Sequence, residues 1–223
     1  MGKNCEFYLE NNNFEEYISF LCDKYKIRNW SINNGLVDVN GYVILSDIGL
    51  DKLPINFGKV NGGFYCQNNN LTTLKGSPRY VGGHFWCQDN ELTTLEEGPI
   101  EVGEDFKCDH NQLTTLKGSP MSMNGSFICN NNNLKTLEYS PRIIGRDFMC
   151  NNNHLVSLSG CPDEIKGDFS FSKNNVENLD HFPKFWSGKV NFQQNPRIKH
   201  LYKHRNNLKA LFRDKKINYV LDC

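Results

Sequence analysis

Seven asparagines recur at an interval of 21 residues: Asn69, Asn90, Asn111, Asn132, Asn153, Asn174 and Asn195. Each stands three residues after a cysteine or a phenylalanine, namely Cys66, Cys87, Cys108, Cys129, Cys150, Phe171 and Phe192. A fixed short period of this kind means one small unit stacked on itself, and it constrains the fold before any local propensity does. Most of the chain then specifies scaffold, so function belongs to the positions that do not repeat.

Around the cysteine slot the apolar positions are filled in turn. Two residues before it stand Phe64, Phe85, Phe106, Phe127, Phe148, Phe169 and Val190. Five and eight residues after it stand Leu71 and Leu74 in the first full unit, and Val176 and Leu179 in the sixth. The slot six before holds Val60, Val81, Val102, Met123, Ile144, Ile165 and Trp186. Prolines from Pro78 to Pro183 close the units. A degenerate earlier copy has Val39, Gly41, Val43, Leu45, Leu50 and Leu53, with Ile48 where the asparagine would stand. The alternation F-x-C puts two apolar side chains on one face of a short strand. The asparagine then marks the exit from the strand, where its amide can bond the backbone of its own turn and of the next. Proline ends strand propagation and sets a bend. One unit buries almost nothing, whereas stacking at about 4.8 Å per turn makes a continuous core.

The motif F-x-C-x-x-N-x-L resembles the L-x-L-x-x-N-x-L of leucine-rich repeats, over roughly residues 36–201. A 21-residue unit with L-T-x-L and proline is similar to the short bacterial type, and the combination L-T-x-L-x-G-x-P-x-x-V-G-G-x-F-x-C to repeat proteins of large tailed bacteriophages. Cysteine and phenylalanine in place of leucine are the departure from the general pattern. The resemblance implies a solenoid with short parallel strands on a concave face, an irregular convex side and helical caps at both ends. It also implies a phage-encoded protein acting on a host protein in the cytoplasm.

Composition adds limits. There is no long apolar run for a membrane span, and the start Met-Gly-Lys-Asn-Cys-Glu is not a signal peptide. Glu6 stands where a myristoylation motif needs Ser or Thr. Nine cysteines are present, and the five in the repeat column have neither the C-x-x-C spacing of zinc sites nor that of a disulfide framework. They are expected to be free, buried and apolar in role, which places the protein in a reducing compartment, the cytoplasm. No metal or cofactor is expected.

The ends are expected to cap the stack. Asn13 with Glu16 forms a capping box, and Phe14, Tyr17, Ile18, Leu21, Cys22 and Tyr25 recur at helical spacing, giving a helical cap over residues 1–35. Leu201, Leu208, Leu211 and Phe212 suggest a second helical cap over residues 202–223. The C-terminal stretch is basic, with Arg197, Lys199, Lys203, Arg205, Lys209, Arg213, Lys215 and Lys216 against Asp214. The chain as a whole balances 25 basic against 25 acidic residues, so the rest is left with 17 against 24, an acidic body with a basic end. Interleaved aromatics for base stacking are lacking there, so nucleic-acid binding is the minority expectation.

Function is sought on the outward positions of the F-x-C strands. One residue before the cysteine slot the column runs Tyr65, Trp86, Lys107, Ile128 and Met149, of which Tyr65, Trp86, Ile128 and Met149 have no structural reason to be apolar in an outward column. Three before it stand His84, Asp105 and Asp147, and one or two after it Asp89, Asp109 and His110. An apolar centre with acidic and amide neighbours suits a protein partner that carries basic residues around an apolar knob. His84, Asp105, His110 and Asp89 are expected close together, and acid–histidine pairs can do acid–base work, but the expected face is open, with no nucleophile in register and no deep pocket, so no enzyme is expected. The expected function is a non-enzymatic protein-binding module that inhibits or redirects a host protein, for instance one of host defence. The alternative readings are a structural component of virion assembly and nucleic-acid binding through the basic end.

Overall fold

The structure of the protein is a computed structural model, and it describes residues 14–198. One helix, α1 (Phe14–Lys24), opens the described chain and buries Ile18, Leu21 and Cys22 against the first turn. This agrees with the N-terminal cap expected from the periodicity. A hairpin follows, β1 (Trp30–Asn33) antiparallel to β2 (Leu36–Val39). Asn34 (φ 51°) and Gly35 (φ 75°) supply the two positive φ values that a two-residue hairpin turn requires. The expected boundary after residue 35 thus falls inside this hairpin. The C-terminal cap expected over 202–223 lies outside the described residues, whose only helix besides α1 is a single 3-10 turn, Pro196–Ile198. Helical caps at both ends are therefore not a feature of the described fold.

Each later turn contributes two strands rather than the single strand expected. The F-x-C segments form β3 (Val43–Ile44), β5 (Phe64–Tyr65), β7 (Phe85–Trp86), β9 (Phe106–Lys107), β11 (Phe127–Ile128), β13 (Phe148–Met149), β15 (Phe169–Ser170) and β17 (Val190–Asn191). They pair in parallel as one eight-stranded sheet. The slot six before the cysteine ends a second strand: β4 (Phe57–Val60), β6 (Tyr80–Val81), β8 (Glu101–Val102), β10 (Ser122–Met123), β12 (Ile143–Ile144), β14 (Glu164–Ile165) and β16 (Phe185–Trp186). These divide into the sheets β1-β2-β4-β6-β8 and β10-β12-β14-β16. Partners lie 21 residues apart, as in Phe64 with Phe85 and Val81 with Val102. The side of the turn assigned to irregular structure is thus partly strand, and the fold is a parallel β-solenoid.

The core is a set of columns along the stack. Phe64, Phe85, Phe106, Phe127, Phe148 and Phe169 are fully buried, with successive ring centroids 5.0 to 6.0 Å apart. Cys66, Cys87, Cys108, Cys129 and Cys150 form a second column, all buried and unpaired by disulfides. Burial pushes every one of these thiols far above its ordinary pKa, so they serve as small apolar side chains.

The asparagines form the expected ladder. Asn111 donates through Nδ2 to the carbonyls of Cys108 (3.2 Å) and of Cys87 one turn earlier (3.0 Å). Its Oδ1 accepts the N–H of Leu92 at 2.9 Å. The same set recurs at Asn90, Asn132, Asn153 and Asn174. A buried amide thereby satisfies backbone groups at the one place where the strand ladder ends.

Candidate functional site

Register places the five central residues in one row. Tyr65 pairs with Trp86, Trp86 with Lys107, Lys107 with Ile128, and Ile128 with Met149, on β5 through β13. The intervening F and C positions point into the core, so this row faces out, and each of its members is half-buried. The row packs on itself. The Tyr65 and Trp86 rings meet edge to face at 5.1 Å, and the Lys107 ammonium lies 4.3 Å from the Trp86 ring centroid. Such a cation–π contact contributes about 0.5–1 kcal/mol at an exposed site. The His84 ring centroid stands 5.5 Å from that of Trp86. Tyr65 folds back over Gly63, where a Cβ would strike its ring. Burial first, and the Glu104 carboxylate second, raise the Tyr65 phenol above its ordinary pKa. Beside this cluster the Trp86 indole nitrogen and the side-chain oxygens of Gln67 and Gln88 are buried with no hydrogen-bond partner among the described residues.

The polar neighbours have structural duties that the sequence did not disclose. His84, Asp105 and Asp147 belong to a side-chain ladder three residues before the cysteine slot. His84 Nδ1 accepts the Asp105 N–H (3.2 Å), Asp105 Oδ1 the Ser126 N–H (2.8 Å), and Asp147 Oδ1 the Asp168 N–H (2.8 Å). Since His84 Nδ1 is an acceptor, its Nε2–H donates to Glu104, 2.7 Å away. Asp89 (φ 54°) and His110 (φ 51°) occupy a left-handed backbone column shared with Asn68, Asn131 and Asn152. Short polar side chains are the non-glycine residues that tolerate this conformation best. His110 is bridged by Asp109 at Nδ1 (2.9 Å) and Asn131 at Nε2 (3.0 Å), while Asp89 is exposed. No group of three or more His, Cys, Asp or Glu among the described residues is arranged to hold a metal ion. Nor is any described helix long and apolar enough to cross a membrane.

A second surface escaped the sequence reading. On the sheets of β4 to β16, Ile100, Met121 and Phe185 are exposed to 53%, 77% and 68%, with Tyr80 and Ile143 beside them. Between β8 and β10 the strand ladder is interrupted. The bonds Gly103 N–H to Val81 and Gly145 N–H to Met123 have no counterpart from Asn124 to Val102. An open groove of about 940 Å³ lies there, lined by Tyr80, Ile100, Met121 and Ile143 among others. The signal was present in the sequence, since these residues stand one or two positions before the slot six before the cysteine, but they fall outside the F-x-C alternation.

The chain matches no family model, and no curated protein matches it. The repeat itself, 21 residues per parallel turn, is what the fold and the leucine-rich-repeat resemblance have in common.

Proposed function

We propose that the protein is a non-enzymatic binding module that holds a protein partner on the row Tyr65, Trp86, Lys107, Ile128 and Met149. The observation that carries this reading is Trp86. Its ring lies between Tyr65 and Lys107 on the outward sheet face, while its own indole N–H is buried without a hydrogen-bond partner among the described residues. A rigid aromatic anchor loses little conformational freedom on binding, and such residues dominate interface energies. Glu104 and Asp105 lie against His84, whose ring is 5.5 Å from Trp86, which favours a partner with basic residues flanking an apolar knob. The resemblance of the repeat to those of large tailed phages supports a narrower reading: a phage-encoded protein that inhibits or redirects a host protein in the host cytoplasm, for example one of defence.

The test is affinity capture from a bacterial host lysate, with the wild type beside a Tyr65→Ala, Trp86→Ala double variant. The reading requires one protein retained by the wild type and lost by the variant, with a folded circular-dichroism spectrum in both. Equal retention by both would remove the row from the interface.

A further inference from the structure

One junction of the stack is joined on one side only. Along the β4 to β16 side, the N–H that opens each rung donates to the rung before: Arg79 to Gly58, Ile100 to Arg79, Arg142 to Met121, Asp163 to Arg142 and Lys184 to Asp163, at 2.8 to 3.0 Å. Between β8 and β10 the series fails. Met121 does not donate to Ile100, nor Asn124 to Val102, nor Gly125 to Glu104. The two strands accordingly belong to separate sheets, and the groove of about 940 Å³ opens between them. The slot they share is β-branched at Val60, Val81, Val102, Ile144 and Ile165, but Met123 is not, and unbranched side chains hold an extended backbone less firmly. The opposite side of the same two turns is complete. Phe106 pairs with Phe127 and Lys107 with Ile128, the Cys108 N–H reaches the Ile128 carbonyl at 2.8 Å, and Asn132 Nδ2 the Cys108 carbonyl at 3.1 Å. We infer that this junction is a hinge, pivoting on the Lys107–Ile128 pairing and free at β8–β10, and that it sets the curvature of the Trp86 row.

The pivot divides the row at its centre, with Tyr65, Trp86 and Lys107 on one half and Ile128 and Met149 on the other. Opening the gap curls the two halves toward each other, and closing it flattens them. With the gap about 10 Å from the pivot, the usual spacing of packed sheets, a change of about 2 Å turns one half against the other by about 11°. At Gly125 a Cβ would strike the Glu104 backbone, so the two turns stay in contact at the end of the gap nearest the pivot. Both states are accessible, because the backbone groups on the two lips exchange bonds to water for bonds to each other at little net gain. The hinge motion is independent of the proposed function, whereas its effect on a partner rests on that reading.

Amide hydrogen exchange and residual dipolar couplings of the full chain test it. The Met121, Asn124 and Gly125 amides should exchange at least about tenfold faster than those of Gly103 and Gly145. Couplings fitted separately to residues 36–119 and 120–198 should need two alignment tensors of different magnitude. Glu101→Cys with Ser122→Cys places a thiol on each lip, and their oxidation should close the gap and bring both halves to one tensor. Wild type oxidised in parallel controls for the native thiols. Met123→Val, which restores the branched residue of the neighbouring rungs, should slow exchange at the same amides without oxidation. The oxidised staple should also lose at least about tenfold in capture of the protein that the wild type retains, and regain it on reduction. A single tensor in the wild type overturns the hinge, as do Met121, Asn124 and Gly125 amides as protected as those of Gly103 and Gly145. Capture unchanged by the staple but abolished by Tyr65→Ala with Trp86→Ala overturns the link to curvature and leaves the row as the interface. Should the row capture nothing, the proposed function fails while the couplings still decide the hinge.

Discussion

The side-chain nitrogen of Asn111 lies 3.0 Å from the carbonyl oxygen of Cys87, one full turn earlier. The same amide accepts the N–H of Leu92 at 2.9 Å, so a single buried side chain ties two turns together at the point where the strands end. Replacing Asn111 by Ala strands at least one buried donor and several carbonyls. The expected loss is about 2–4 kcal/mol, since an unpaired buried polar group costs roughly 1–3 kcal/mol. Chemical denaturation of the Asn111→Ala variant checks this. Asp in place of Asn keeps the acceptor but loses the donors, and should fare little better.

A second left-handed column passes through Gly76, Glu97, Gly118, Tyr139, Gly160 and His181. Glycine occupies three of its six positions. At Gly118 (φ 97°) a Cβ would collide with the Leu95 backbone, so Gly118→Ala should cost more than about 2 kcal/mol. Tyr139 (φ 69°) is exposed and strained, so Tyr139→Gly should add about 0.5–1 kcal/mol. Opposite signs in thermal melts of the two variants are the expected outcome.

The buried thiols make stability depend on alkaline pH. In the fold, Cys66, Cys87, Cys108, Cys129 and Cys150 stay protonated because burial raises their pKa values. In the unfolded chain thiols ionise above about pH 8.5. The folded state therefore holds more protons there, and stability that is complete below about pH 8.5 falls as pH rises. Each thiol contributes about 1.4 kcal/mol per pH unit, so the column together loses on the order of 5–7 kcal/mol per unit. Melts recorded from pH 7 to 10 should show this steep loss, and Cys108→Ala should make it shallower. A melting temperature flat across that range would contradict the buried column.

Asp105 separates scaffold from surface chemistry. Its Oδ1 accepts the Ser126 N–H, a duty that Asn can also perform. Asp105→Asn should therefore leave the melt nearly unchanged, whereas Asp105→Ala should cost about 1–2 kcal/mol. Where the acidic flank attracts a basic partner, Asp105→Asn should also slow association, an effect that added salt diminishes.

Much of the fold was legible because a strict period gives every copy of a side chain the same environment. Phe85, Cys87, Asn90, Leu92 and Leu95 are all buried, each in the role its column implied. The second strand of each turn was not legible, since from Tyr80–Val81 to Phe185–Trp186 these strands are only two residues long, too short to show an alternation. The outward Tyr65–Met149 row followed from counting back from the asparagines. Its flanking residues were harder to read, because carboxylates and imidazoles that stabilise a ladder are the same chemical groups that bind partners. His110 and Asp89 carried one clue, their alignment with Asn68, Asn131 and Asn152, residues that accept positive φ.

The central claim is that adjacent residues divide the work, Phe85 holding the scaffold and Trp86 meeting the partner. Parallel equilibrium unfolding and partner capture with Phe85→Ala and Trp86→Ala test it most directly. Phe85 is fully buried among stacked rings, so its truncation should cost about 3–5 kcal/mol. Trp86→Ala should cost less than about 2 kcal/mol yet abolish capture. Equal destabilisation by the two substitutions, or capture undiminished by Trp86→Ala, would contradict the account.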